Sequence, residues 1–95
     1  DDTSSADAIV IGNEEPTRTY ILQINSFDNA DDADKRRAEV LMAGVDAQIV
    51  KKRLNNDQTV YQVISRPMSS PEMAAQAQRQ LQNSRIDSLI VEQRR

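Results

Sequence analysis

From Tyr20 onward the apolar positions switch between a spacing of two and a spacing near 3.6. In "YILQINSF", Tyr20, Leu22 and Ile24 alternate with Ile21, Gln23 and Asn25, which predicts a strand over residues 19–27. Asp28 is placed to cap a helix over 29–43, with Asp31 three residues later and Gly44 as its terminator. Ala30, Ala33, Val40 and Leu41 fall on one face of that helix. Residues 45–53 read as a strand, "LNNDQ" as a turn and 59–66 as a further strand. Ser69 or Ser70 caps a second helix, with Pro71 and Glu72 in its first turn and Ala74, Ala77 and Leu81 on its inner face. That helix stops near Ser84, and residues 86–92 form the last strand.

The order is therefore β-α-β-β-α-β, and its two halves resemble each other. An offset of 41 residues lays Tyr20 on Tyr61, Ala33 on Ala74, Val40 on Leu81 and Val45 on Ile86, and compares "VDAQIV" with "IDSLIV". One ungapped offset that serves strand, helix and strand alike points to a duplicated βαβ unit. The expected fold is α+β, ferredoxin-like or RNP-like: a four-stranded antiparallel sheet with two helices on one face. Residues 1–18 are acidic and polar and read as a flexible tether, with 19–95 as the folded domain. Within the tether "AIVI" is either a short extra strand or an apolar patch.

Two helices cover one face of a sheet, so strand alternation divides the side chains. Tyr20, Leu22, Ile24, Val45, Ala47, Ile49, Tyr61, Val63, Ile86 and Ile90 are assigned to the helix side. Ile21, Gln23, Asn25, Gln48, Val50, Lys52, Gln62, Ile64, Arg66, Leu89 and Val91 are assigned to the open side. Amides beside aliphatics suit sugars, which carry hydroxyls and amides at their edges and C–H groups on their faces. A face merely left to water explains the amides equally well, but it has little use for the aliphatics.

Composition narrows the chemistry. The 95 residues contain no Cys and no His, which removes thiol nucleophiles, imidazole bases and the usual zinc sites. A hydrophobic share of 38% allows only a thin core, and a net charge of −3 argues against a general nucleic-acid binder. No apolar run is long enough to span a membrane. A start on Asp-Asp rather than Met suggests a segment of a longer protein. "DDADKRR" sets Asp31–Lys35 and Asp32–Arg36 at i,i+4, a solvated helix face. Its acids lack the Gly and the closing Glu of an EF-hand loop. The open face carries no pair of acids for glycoside cleavage, so no enzymatic activity, metal or cofactor is expected.

The stretches "QINSF" and "YQVISRPM" carry a family resemblance. The chain resembles a SPOR domain, the sporulation-related repeat of bacterial cell-envelope proteins, over about residues 19–92. The first strand of that family ends Gly-Ser-Phe after a Gln, where this chain has Gln23-Ile24-Asn25-Ser26-Phe27. The family's third strand reads Tyr-Arg-Val-Arg-Val-Gly-Pro-Phe, where this chain has Tyr61 to Met68. Asn25 and Arg66 replace family glycines, and Gln62 and Ile64 replace two arginines. The resemblance implies a βαββαβ fold and a non-catalytic module that binds peptidoglycan on its sheet. It further implies glycan strands lacking stem peptides as ligand, and a periplasmic location at the division septum.

The candidate glycan-binding residues are Gln23, Asn25, Ser26, Lys52, Tyr61, Gln62, Ile64 and Arg66. Gln23 and Ser26 match family positions implicated in binding, and Val60–Tyr61 lies where some members carry an aromatic. Removing a stem peptide frees the lactyl carboxylate of muramic acid, which Lys52 or Arg66 would meet by a charge-assisted bond. Lys51-Lys52-Arg53 reads equally well as charge that blocks edge-to-edge pairing at a hairpin end. The expected partner is the glycan strand, bound by a monomeric domain without nucleic-acid or membrane contact of its own. Three other readings share this fold. An RNA-binding module needs stacking aromatics on the middle strands. An acylphosphatase-like enzyme needs an anion-binding loop. A protein-interaction domain would use the aliphatic sheet face.

Overall fold

The computed structural model describes residues 18–94, so the expected tether and its "AIVI" patch lie almost entirely outside the described residues. The elements are β1 (Arg18–Phe27), α1 (Ala30–Met42), β2 (Ala47–Arg53), β3 (Thr59–Ser65), α2 (Pro71–Asn83) and β4 (Leu89–Arg94). The strands form one antiparallel sheet in the order β2-β3-β1-β4. Leu22, Ala33, Val40, Val45, Ala47, Val63, Ala74, Ala77, Leu81 and Ile86 make the buried core, with Tyr20, Ile24, Phe27, Ile49, Tyr61 and Ile90 packed against it. Every residue assigned by alternation to the helix side is in this cluster.

Both helices start and stop by the same device. Asn29, not Asp28, caps α1: its side chain accepts from the Asp32 amide at 2.8 Å, and its Nδ2 donates back to the Asp32 carboxylate at 3.0 Å. Ser70 caps α2 by accepting from the Met73 amide at 3.2 Å. At the other ends the amides of Val45 and Ile86 reach back to the carbonyls of Val40 and Leu81, at 3.2 and 2.9 Å. These amides are committed to helix ends, which is why β2 begins at Ala47 and β4 at Leu89 rather than at residues 45 and 86. The residues before them, Gly44 and Arg85, take positive φ of 94° and 62°. Caps and terminators thus repeat at the 41-residue offset read from the sequence.

The inner face of α1 is narrower than the apolar pattern suggests. Ala33 and Val40 are buried, whereas Ala30 and Leu41 are exposed. Between the two buried residues, Arg36 and Arg37 lie half-buried. Their guanidinium groups pair at i,i+3, Arg36 with Glu39 at 3.2 Å and Arg37 with Asp34 at 3.6 Å, instead of the expected i,i+4 pairs. Asp32 is turned toward the N-cap, which removes it from Arg36.

Candidate functional site

The floor of the site depends on an irregularity in β1. Gln23 pairs with Ile64, but Asn25 pairs with Val63, Ser26 with Gln62 and Phe27 with Tyr61, so β1 holds one extra residue between Gln23 and Asn25. Such a bulge sets two residues, here Ile24 and Asn25, against one partner and resets the alternation. Before it, Gln23 lies on the open face and Leu22 in the core. After it, Ser26 joins Gln62 on the open face, and Phe27 packs with Tyr61 on the helix side. Unbroken alternation places Asn25 and not Ser26 on the open face; the bulge exchanges them. Asn25 remains exposed, opposite the core residue Val63.

A second irregularity opens the floor on one side. The β1–β4 ladder ends at Gln23–Leu89, while β1 continues beside β3 to Phe27. The chain before Leu89 has left the sheet: Ile86 serves the α2 terminus, and the Ser88 carbonyl accepts from Gln78 Nε2 at 2.9 Å. Among the described residues, 24–27 of β1 therefore have no strand partner on that side. There an open depression of about 350 Å³ is lined by Gln23, Ile24, Asn25, Ser26, Gln62, Val63, Ile64 and Leu89. None of these residues is charged. Leu89, 62% exposed, is the aliphatic wall that the candidate residues did not include. Alternation alone assigned it to the open face, but the end of the ladder, which makes it a wall, is a tertiary fact.

The far end of the same strands is tied down differently. Tyr20 exchanges both main-chain hydrogen bonds with Met68 at 2.8 Å, out of step with the Gln23–Ile64 pair. Pro67 supplies no amide in the gap. The Leu22 amide instead donates to the buried Ser65 hydroxyl at 2.8 Å, and that hydroxyl donates to the Arg66 carbonyl at 3.1 Å. The strand under Gln23 is thereby held from both sides.

Five of the eight candidates, Gln23, Asn25, Ser26, Gln62 and Ile64, come together at the depression. The other three do not. Lys52 is on the open face but pairs with Val60 near the hairpin, where Lys51, Lys52, Arg53 and Thr59 line a separate hollow. Tyr61 faces the helices, paired with Lys51, whose Nζ lies 5.9 Å from the ring centroid. Arg66 lies beyond the end of β3, so alternation does not extend to it. Its amide donates to the Asp46 carbonyl at 3.3 Å, and it borders a hollow on the helix side with Gly44, Met68, Ala77 and Gln80. Lys52 and Arg66 thus sit toward opposite ends of β3, about 20 Å apart along the strand direction.

Comparison with known proteins agrees with this architecture. Among solved structures, the chain is similar to the SPOR domain of RlpA from Pseudomonas aeruginosa, with a TM-score of 0.67 and 21% identity over 77% of this chain and 96% of that one. It is also similar to the peptidoglycan binding domain of the B. subtilis cell wall lytic enzyme CwlC, with a TM-score of 0.69 and 19% identity over 87% of this chain and 99% of that one. No curated protein matches the chain. The family model of the SPOR domain matches residues 16–92, which takes in both helices, the bulged first strand and the depression beside it, and the chain belongs to the SPOR domain family.

Proposed function

We propose that the chain is a non-catalytic peptidoglycan-binding module. It holds glycan strands that lack stem peptides and so directs the protein that carries it to the division septum in the periplasm. One observation carries this reading. The depression on the uncovered sheet face joins carboxamides and a hydroxyl (Gln23, Gln62, Ser26) to aliphatic side chains (Ile64, Leu89). Family membership and the peptidoglycan-binding neighbour CwlC support it.

The geometry suggests how such a strand is held. A sugar ring lies with its C–H face on Ile64 and Leu89, while Gln23, Gln62 and Ser26 meet its hydroxyl and acetamido groups. A stem peptide would add bulk on one side of the strand and consume the lactyl carboxylate. Its removal leaves that carboxylate to Lys52, the cation on the same face. Glycoside cleavage needs two acids flanking one bond, and no acid lines this depression. RNA stacking needs aromatics on the open side of the middle strands, whereas Tyr20 and Tyr61 pack toward the helices.

Co-sedimentation with purified sacculi, before and after an amidase has removed the stem peptides, tests the reading. More protein is expected in the pellet after amidase, and Gln23→Ala and Ser26→Ala are expected to lower it while the circular dichroism spectrum is kept. Equal pelleting of wild type and both variants places the ligand elsewhere.

A further inference from the structure

The register carries the site one strand further than the depression. Ile64 stands at the centre of the open face, and both strands that flank it place a glutamine directly opposite: Gln23 on β1 and Gln48 on β2. Gln62, two residues earlier on β3, lies on the same face. Directly opposed side chains in an antiparallel sheet have Cβ atoms about 5 Å apart, so the two flanking glutamines stand about 10 Å from each other across Ile64. Ile64, Gln48 and Gln62 are all half-buried. The rest of β2 on this face is Val50, opposite Gln62, and Lys52, opposite Val60.

We infer that Gln48 is a ligand-binding residue: with Gln23 and Gln62 it closes a ring of three carboxamides around Ile64, which seats a single acetamido-bearing pyranose. The apolar centre takes the C–H face of the ring. The carboxamides, each both donor and acceptor, take hydroxyl and acetamido groups on opposite edges of the same sugar. A sugar so held spans β1, β3 and β2, and its strand continues over Val50 toward Lys52. The depression at Leu89 is then one end of the footprint and not the whole of it. The inference rests on the peptidoglycan reading, because it names a contact to that ligand.

Isothermal titration of the full chain with soluble glycan strands freed of stem peptides separates the two. Gln48→Ala is expected to weaken binding about fivefold, the size of one net hydrogen bond. Gln48→Glu keeps the shape and an acceptor but loses the amide donors, and puts a negative charge beside an anionic strand; a loss of about tenfold or more is expected. Gln93→Ala, on the same face but outside the ring, is expected to bind as wild type does. Unchanged melting temperatures for the three variants show that the edge strand is intact. If both Gln48 variants bind like wild type while Gln23→Ala weakens binding, the ring is overturned and the peptidoglycan reading stands. If wild type itself does not bind these strands, both fall.

Discussion

Gly44 and Arg85 do the same work in the two halves of the chain. Each follows a helix in the left-handed region, so that the next amide can turn back to the helix. Glycine takes this conformation without steric cost; a residue with a Cβ is strained there by about 1–2 kcal/mol. Arg85→Gly is therefore expected to stabilise the domain by about 0.5–1 kcal/mol, seen as a higher urea midpoint at unchanged slope. Gly44→Ala is expected to have the opposite sign and a larger size, because its Cβ would also lie 3.1 Å from Gln80 Nε2. Ser65 shows a different single-residue effect. Its hydroxyl is the acceptor for the Leu22 amide inside the core. Ser65→Ala leaves that amide unpaired and is expected to cost about 1–3 kcal/mol, with faster hydrogen exchange at Leu22 as the local sign. Unaltered exchange there would mean that the amide has another partner.

The strand β1 decides which side chains reach the floor of the depression. Its alternation is legible in "YILQI", and the partition of core from open face follows from it except at Ile21, which alternation assigns to the open side but which is only 4% exposed. The bulge is not legible, because Ile24-Asn25 contains no residue that demands it. It is the pairing with β3, fixed at Gln23–Ile64 on one side and Phe27–Tyr61 on the other, that leaves one residue over. The ending Ser-Phe makes sense only after the bulge: the hydroxyl joins the open face and the ring joins the core. Deleting Asn25 tests this. The register then runs unbroken, with Gln23, Ser26 and Phe27 each on its present face. The deletion variant is expected to fold with a wild-type circular dichroism spectrum and to bind glycan strands less well, because the depression loses one of its lining residues. A variant that fails to fold would show that Asn25 is structural in its own right. The helices were read more fully, since spacing, caps and terminators are local. The assignment of the first cap to Asp28 failed by one residue because Asp28 and Asn29 are both good caps, and only the Asp32 side chain, turned back to Asn29, chooses between them.

At the scale of the whole molecule, the sheet is a plate with helices beneath and a mixed amide–aliphatic surface above. Cations at the hairpin end of that surface make its binding depend on salt if they meet the muramyl carboxylate. Raising ionic strength is expected to weaken the complex, and Lys52→Gln is expected to remove most of that dependence at a cost of about two- to fivefold in affinity at low salt. A dissociation constant that ignores salt would remove Lys52 from the footprint. Arg66, which alternation had placed on the same floor, borders the helix side, and Arg66→Gln is expected to leave the salt dependence as it is.

The chain by itself determined the order of its elements, their duplication, the two apolar helix stripes in part, and the division of the sheet into a covered and an uncovered face. These follow from spacing along the chain, and spacing is written in residues. Only the tertiary structure decided that Ser26 replaces Asn25 on the floor, that Leu89 walls it, that Arg66 lies away from it, and that Gln48 stands across Ile64 from Gln23. These depend on which residue faces which across a hydrogen-bonded ladder and on where each ladder stops. Such pairings are set by helix ends that claim the amides of Val45 and Ile86 and by a single extra residue in β1, neither of which leaves a periodic trace in the sequence.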